Sequence, residues 1–156
     1  MMLRIGVQLI SACLLVLLLS SFTIKGKVVK VSDGDTFTIL TADKKQERIR
    51  MLWIDAPEKT QPYGDASRQF LASLIAGKTI EVNCTEKDRY GRNLGYVVLN
   101  GSNVNELMLK KGYAWHYKQF DKNADRARLE QQARKNKLGL WRDNTPLAPW
   151  SYRRNK

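Results

Sequence analysis

The sequence predicts an α+β fold, mainly β with about three α-helices, built on five short strands in meander order. Two patterns support this fold class. Runs rich in β-branched and aromatic residues are separated by Gly, Asn and Asp turns, and one amphipathic helical stripe lies between the third and fourth runs. The chain has 156 residues, enough for a single core, and shows no internal repeat. We therefore expect one folded domain over residues 25–142.

The five strands are predicted where apolar residues alternate or cluster between turn signals. Their expected spans are 27–31, 36–41, 47–52, 79–85 and 93–99. Pro57 and Pro62 bracket a loop after the third strand, because proline cannot donate to a β-ladder and biases the preceding residue towards extended geometry. Trp53, which follows the third strand within the motif IRMLWIDAPE, is expected in the core.

Three helices are predicted from helical spacing and capping residues. Asp65 is the expected cap of a helix ending at residue 76, Asn103 and Glu106 resemble a capping box for a helix through 111, and a polar helix covers 123–137. Residues 143–156 contain two prolines and several basic residues. They are expected to form an irregular basic tail.

The charge of the chain indicates a polyanionic partner. It has 27 Lys and Arg against 15 Asp and Glu, a formal net charge of +12. An excess of this size favours nucleic acid, with anionic lipid or simple solubility as alternatives.

Residues 1–22 are typical of a targeting segment. Arg4 precedes an apolar run over 5–19, as in a secretory signal peptide. The small residues that follow make a poor cleavage site, and the stretch over 5–24 is nearly long enough to span a bilayer, so an N-terminal membrane anchor stays open. A lipid anchor at Cys13 is the weaker alternative. We expect export, with the protein secreted, periplasmic, or membrane-anchored and facing outward.

Cysteine and histidine usage argues against a disulfide framework and against zinc. Cys13 lies in the targeting segment and leaves Cys84 alone in the domain, where a buried hydrophobic position is the usual role of a free cysteine. His116, the single histidine, has no Cys or His at metal-binding spacing.

Acidic residues and arginines in three segments suit attack on a phosphodiester. They are Asp35 in VSDGDTF, Arg50, Asp55 and Glu58 in IRMLWIDAPEK, and Arg92 in DRYGRN. Carboxylate oxygens hold a hard cation, and guanidinium groups bind phosphate oxygens with a planar fork of donors. Taken singly, each residue is more typical of a turn or a solvated surface.

Together with their context, these residues resemble the thermonuclease (staphylococcal nuclease-like) family over residues 26–141. The matching motifs are DGDT, IRMLWIDAPE, DRYGR, VNELMLKKGYA and KLGLW, in the family's order. The resemblance implies that the five strands close into an OB-fold barrel, a fold that recurrently binds oligonucleotides. It also implies a calcium-dependent endonuclease that hydrolyses DNA, with RNA as a further candidate substrate and little sequence specificity.

The resemblance further implies a role for each site residue. Ca²⁺ is expected on Asp35, Asp55 and the backbone carbonyl of Ala56, a position where the side chain matters little. Glu58 is expected to orient or deprotonate the attacking water, and Arg50 and Arg92 to grip the scissile phosphate.

Nucleotide contacts are expected from Arg89 and Tyr90, next to the second arginine. Tyr117 is a further candidate, because an aromatic ring can stack on a base. Packing under a loop is the competing interpretation for Tyr117.

Two other function classes compete with the enzyme. One is a non-catalytic OB-fold nucleic-acid-binding protein, and the other is an envelope protein that places its basic face on anionic lipid. Retention of all five acidic and arginine residues favours the enzyme. We expect a monomer that binds DNA, and RNA as a second candidate, with membrane attachment only through the N-terminal segment.

Overall fold

Short strands and helices alternate along the computed structural model, which describes residues 21–155. The strands are β1 Phe22–Asp33, β2 Thr36–Thr41, β3 Gln46–Met51, β4 Ile54–Asp55, β5 Thr79–Lys87, β6 Asn93–Leu99, β7 Ser102–Asn103 and β8 Trp115–His116. The helices are α1 Gly64–Ile75, α2 Val104–Lys110, α3 Ala124–Lys135 and α4 Pro149–Arg154, and a 3₁₀ turn covers Gly139–Arg142.

Five of these strands form a closed barrel. Strands β3, β2, β1, β5 and β6 are neighbours in that order through antiparallel pairs, and a parallel β3–β6 pair closes the circle. In that pair Arg50 lies opposite Leu94. Register shifts after Val28 and Val31 interrupt the pairing of the long strand β1 with β2, while its N-terminal part pairs with β5. The predicted α+β class with a five-stranded OB-fold barrel is confirmed.

The barrel interior and the helices beside it share one apolar core. Phe37, Ile49 and Val97 are fully buried in the barrel, and Leu71 of α1 and Met108 of α2 close its ends. A second cluster, containing Trp115, Trp141 and Ala148, lies under α3 and the C-terminal segment. The C-terminal segment is therefore packed against the domain.

Three expectations about local structure were wrong. The cap of α1 is Tyr63, in left-handed geometry (φ 66°) without a side-chain bond, whereas Asp65 lies in the first turn and accepts hydrogen bonds from Arg68. Trp53 is only half-buried: its φ is 69°, its ring is stacked on Tyr96, and the guanidinium of Arg126 lies 4.0 Å from its ring centroid.

The third is the tail. The segment 143–156 is not irregular throughout, because Pro149 stands at the first position of α4, where its fixed φ suits a helix and its missing N–H costs no bond. Trp150 then packs edge-on against Trp115 at a centroid distance of 5.4 Å. This contact joins α4 to the second apolar cluster.

The targeting segment falls outside the described residues except at its last positions, where Phe22 already begins β1. Within residues 21–155, the helices are all too short or too polar to cross a membrane. Cys84 is a free, buried cysteine of β5, as expected, and burial raises the pKa of its thiol to about 11.

Candidate active site

Three acidic residues meet between the β1–β2 turn and the chain that follows β4. We call Asp35, Asp55 and Glu58, with the two arginines that bind them, the carboxylate centre. Asp35 Oδ2 accepts a hydrogen bond of 2.7 Å from the backbone N–H of Ala56. Asp35 and Asp55 are almost completely buried, whereas the side chain of Glu58 is about one-third exposed.

Local packing explains why the turn reaches Ala56. Gly34 has no side chain, and a Cβ there would lie 2.6 Å from Ser67 Cβ and 2.8 Å from Ala56 Cβ. Strand β4 is held by its antiparallel partner β8, with Asp55 opposite Trp115. The DGD turn and the DAP segment therefore approach each other closely, and this brings Asp35 to the site.

Arg50 is the first of the two arginines and lies beneath the centre. Its Nη2 donates to Asp55 Oδ1 at 2.9 Å and lies 3.2 Å from Asp35 Oδ2. Its Nη1 donates to the carbonyl oxygens of Met51 at 2.7 Å and Ile54 at 2.9 Å. Arg50 thus crosslinks the two aspartates and the β3–β4 turn.

Glu58 projects from a tight loop before α1. Its backbone carbonyl accepts from the N–H of Gln61 at 2.8 Å, and its own N–H donates to Gln61 Oε1 at 3.1 Å. Gly64 passes so close that a Cβ there would collide with the Glu58 carbonyl oxygen. The backbone of Glu58 is therefore fixed.

Arg153 is the second arginine, and sequence reasoning did not single it out. Its Nη2 donates to Asp55 Oδ2 at 2.8 Å, and its Nη1 donates to Asp55 Oδ1 at 3.2 Å and to Glu58 Oε1 at 2.8 Å. Those hydrogen bonds, with Asp55 first, raise its pKa above the ordinary arginine value. One guanidinium from α4 thus bridges two of the three acidic residues.

Burial and neighbouring negative charge raise the pKa values of two aspartates at the site. Burial, followed by the nearby charge of Asp35, raises the pKa of Asp33 to about 7. Asp33 Oδ1 is also buried without a hydrogen-bond partner. Burial raises the pKa of Asp55, although hydrogen bonds from Arg153 and the charge of Arg50 oppose the shift. Such perturbed carboxylates concentrate at functional sites.

Arg92 lies on the neighbouring β5–β6 loop. Its Nε donates to Asp88 Oδ2 at 2.7 Å, and no hydrogen bond or ion pair within residues 21–155 joins it to the carboxylate centre. It stands just before β6, whose residue Leu94 pairs with Arg50. The structure therefore places Arg92 on the loop that leads into β6, the strand next to Arg50, and pairs its side chain with Asp88 of the same loop.

Arg89 and Tyr90 form an exposed cluster on that loop. The guanidinium of Arg89 lies 4.8 Å from the Tyr90 ring centroid, and that of Arg92 lies 5.5 Å away. Tyr90 is 64% exposed, and Gly91, in left-handed geometry, makes the turn. An exposed ring flanked by two guanidiniums is suited to an anionic, planar ligand.

Tyr117 is joined to α4. Its ring is stacked on Trp150 at a centroid distance of 5.8 Å with an interplanar angle of 3°, and it meets Phe120 edge-on at 4.7 Å. Its N–H donates to the carbonyl of Trp53. Tyr117 is half-buried, so the packing expected as the competing interpretation is present.

The donor chemistry of the centre fits calcium, but its present hydrogen bonds do not leave the ligands free. Asp35, Asp55 and the carbonyl of Ala56 would supply only oxygen atoms, which a hard cation prefers. Asp33 Oδ1, which is buried and has no hydrogen-bond partner, is a further oxygen atom close to Asp35. Both oxygens of Asp55 are bound by arginines, however, and no group of three or more His, Cys, Asp or Glu side chains in residues 21–155 forms a metal site by itself.

Comparison with known proteins decides the family. The sequence model described as "Staphylococcal nuclease homologue" matches residues 48–143. An uncharacterized endonuclease of Escherichia coli O157:H7 is 46% identical over 134 residues, covering 85% of this chain and 87% of the relative. This chain belongs to the staphylococcal nuclease family.

Other members of the staphylococcal nuclease family are similar over most of the chain. An uncharacterized endonuclease of Haemophilus influenzae is 40% identical over 130 residues, covering 83% of this chain and 73% of the relative. The staphylococcal-like nuclease CAN1 of Arabidopsis thaliana is 45% identical over 112 residues, 72% of this chain and 35% of that protein. The family supports a nuclease, a hydrolase whose substrate is nucleic acid.

Two residues of the site were missed from the sequence. Asp33 was read as part of the DGDT turn, although its position two residues before Asp35 already suggested a second carboxylate. Arg153 carried no signal as one basic residue in a basic tail. The Pro149-Trp150 pair, a helix start beside a large aromatic, was the signal that could have indicated a docked helix.

Proposed function

We propose that this protein is a calcium-dependent endonuclease that cleaves DNA with little sequence preference, with RNA as a second candidate substrate. The observation that carries the proposal is the meeting of Asp35, Asp55, Glu58 and Arg50 in one centre of a nuclease-family barrel. The low specificity follows from the kinds of contact available, because carboxylates and guanidiniums act on the phosphodiester and not on base edges.

Calcium would be held by Asp35, Asp55 and the carbonyl of Ala56. When bound, it supplies positive charge that offsets the charge developing on the phosphate. The partly exposed position of Glu58, next to the buried aspartates, suits a general base, since its carboxylate can accept a proton from the attacking water.

Arg50 and Arg92 would bind the scissile phosphate with paired N–H donors. Arg50 Nη2 now donates to carboxylates, so it reaches a phosphate only by exchanging these partners. Arg92 must likewise share its guanidinium with Asp88. Preorganised donors of this kind are each worth roughly 100- to 1,000-fold in rate.

The surrounding surface suits a polyanion. Arg89, Tyr90 and Tyr117 offer a guanidinium and two aromatic rings for phosphates and bases. The formal charge of +12 adds a sequence-independent attraction for nucleic acid.

The test is hydrolysis of a plain DNA strand and a plain RNA strand by the purified protein, with calcium and then with chelator. Cleavage should stop in chelator and return with calcium. Asp35→Ala should abolish the calcium response, whereas Asp43→Ala, at an exposed turn aspartate bound to Thr41 and Lys45, should behave as wild type.

The outcomes separate the candidate functions. Full cleavage in chelator would disprove the metal assignment, and tight DNA binding without cleavage under any condition would establish the non-catalytic binding protein instead.

We also propose export, on the basis of Arg4 and the apolar run over 5–19. Cell fractionation with N-terminal sequencing tests this. A full-length chain free in the cytoplasm would disprove export, and a full-length chain in the membrane fraction would disprove only cleavage.

A further inference from the structure

The C-terminal helix α4 places the guanidinium of Arg153 in the carboxylate centre, where a bound metal cation would contact the same carboxylates. Arg153 binds both oxygens of Asp55, at 2.8 and 3.2 Å, and one oxygen of Glu58, at 2.8 Å. A bidentate arginine–carboxylate pair is among the strongest side-chain contacts. The same two residues are the candidate metal ligand and the candidate general base.

The approach of Arg153 is built into the packing of α4. Trp150 packs edge-on against Trp115 and is stacked on Tyr117, both next to β4. The hydroxyl of Tyr152 donates to the carbonyl oxygen of Thr60 at 3.1 Å. Just before α4, the carbonyl of Leu147 accepts from Gln61 Nε2 at 2.6 Å.

These contacts join α4 to the loop that carries Glu58. Thr60 and Gln61 lie within three residues of Glu58. The hydrogen bonds to Tyr152 and Leu147 therefore connect the Glu58 loop to α4 and to the residue just before it. The backbone that carries Arg153 is therefore held next to the centre by contacts of three residues of its own segment, Leu147, Trp150 and Tyr152.

The buried negative charge of Asp55 requires a positive charge beside it. The side chain of Asp55 is only 1% exposed, and it lies near Asp35 and Glu58, so a buried carboxylate there needs an opposite charge. Arg50 supplies one partner, to a single oxygen. Arg153 supplies the other, on the side where Glu58 also lies.

A divalent cation on Asp55 would do the same electrostatic work. It would need an Asp55 oxygen, and Arg153 occupies both. Guanidinium and metal ion also repel each other at this range. Hence the two are alternatives.

We propose that Arg153 is a built-in competitor of the divalent cation, so that metal binding to Asp55 requires release of Arg153 from the centre. The inference rests on the proposed calcium site. Because Nη1 of Arg153 bridges Asp55 and Glu58, one release frees the metal ligand and the general base together. The residue thus sets the cation affinity of the site, and α4 acts as a latch.

The test is calcium binding by isothermal titration calorimetry on the full chain, without substrate. Three proteins are compared: wild type, Arg153→Gln and Arg154→Gln. Arg154 is the matched control, because it lies in the same helix, is exposed and, within residues 21–155, donates only to Ser151. Arg153→Gln should bind calcium at least about fivefold more tightly than wild type, within the usual range for two linked binding events. Arg154→Gln should match wild type.

A second variant covers the case in which Arg153→Gln does not fold. Trp150→Ala keeps Arg153 in the sequence but removes the aromatic contacts of Trp150 that hold α4 against Trp115 and Tyr117. It should also tighten calcium binding, by a smaller factor. In both variants, half-maximal nuclease activity should move to lower calcium.

Each outcome points to one conclusion. If wild type binds calcium and Arg153→Gln binds it equally or more weakly, the competitor role is wrong. If Arg153→Gln keeps wild-type affinity but loses about 100-fold or more in kcat at saturating calcium, Arg153 is a catalytic group and the latch is overturned. If none of the folded proteins binds calcium, the calcium site of the proposed function fails, independently of Arg153.

Discussion

The carboxylate centre and a second charge cluster both contain an arginine that binds an aspartate through two N–H groups, but the pKa values of the two aspartates are shifted in opposite directions. The second cluster, the Asp121 cluster, contains Asp121, Arg126, His116 and Glu106. In it Arg126 Nε and Nη2 bind the two oxygens of Asp121 at 2.7 and 3.0 Å, a geometry close to that of Arg153 on Asp55. His116 Nε2 and Glu106 Oε1 complete the cluster, at 2.7 Å from Asp121 and 3.2 Å from Arg126.

The pKa values of the two aspartates move in opposite directions. Hydrogen bonds from Arg126 above all lower the pKa of Asp121 to about 2, whereas burial raises the pKa of Asp55. Asp55 is the more deeply buried of the two and has the like charge of Asp35 nearby. An arginine fork therefore lowers the pKa of the less deeply buried aspartate, Asp121, and stabilises the folded structure there. In the carboxylate centre it leaves a carboxylate that can still gain from a stronger cation.

The sharpest test of this contrast is removal of one acidic group from each cluster. Glu58→Gln should slow cleavage by roughly 100- to 10,000-fold, because an amide cannot accept the proton of the attacking water. Glu106→Gln, the matched change beside Arg126, should leave cleavage within a few-fold. Both are measured as kcat on the same DNA strand at saturating calcium, and equal losses would remove the functional distinction between the clusters.

Arginine-to-lysine changes should show the next largest effect. Lysine keeps the charge but loses the bidentate fork, so Arg50→Lys and Arg92→Lys should fold and cleave at least roughly 100-fold more slowly. Arg126→Lys should instead lower the thermal midpoint with little change in kcat. Normal turnover in folded Arg50→Lys would mean that this arginine acts only as a crosslink of the β3–β4 turn.

Replacing Asp121 should affect stability and not chemistry. Its pKa is about 2 in the folded protein and 3.8 as a free group, so its stabilising effect is present above about pH 4 and is lost as pH falls through 2. Asp121→Asn should therefore lower the free energy of unfolding by about 2 kcal/mol at pH 7, and the difference from wild type should shrink between pH 4 and pH 2. Urea unfolding at these pH values measures it, and a difference that is constant with pH would contradict the ion-pair explanation.

Local patterns of the sequence predicted the strands better than their closure. The bounds of β2 and β6 were predicted to the residue, because alternation and the flanking turns mark both ends. The parallel β3–β6 pair depends on residues more than 40 positions apart, such as Arg50 and Leu94, and came only from the family resemblance. The first strand was predicted five residues too short at its start, since Phe22 to Ile24 pair with β5 far along the chain.

The structure brings together Asp35, Asp55, Glu58 and Arg50, which the sequence predicts as site residues and which lie at or near adjacent strand ends. Arg153 was out of reach, because it enters the centre through the docking of Trp150 on Trp115 and Tyr117, which no spacing in the sequence encodes. Arg92 shows the opposite case. It was predicted beside the phosphate, and the structure shows it paired with Asp88, a contact that its own DRYGR motif encodes through the local turn.

Gly64 has no side chain, yet it should tolerate substitution as poorly as a catalytic residue does. Any Cβ at this position would meet the backbone carbonyl of Glu58 and displace the loop that aims its carboxylate. In saturation mutagenesis with selection for nuclease activity, position 64 should be depleted of every substitution, alanine included. Gly77, where a Cβ would meet nothing within 4 Å, should show losses set only by its left-handed backbone. The fitness map of the enzyme would then contain a position as intolerant as Glu58 that never touches the substrate.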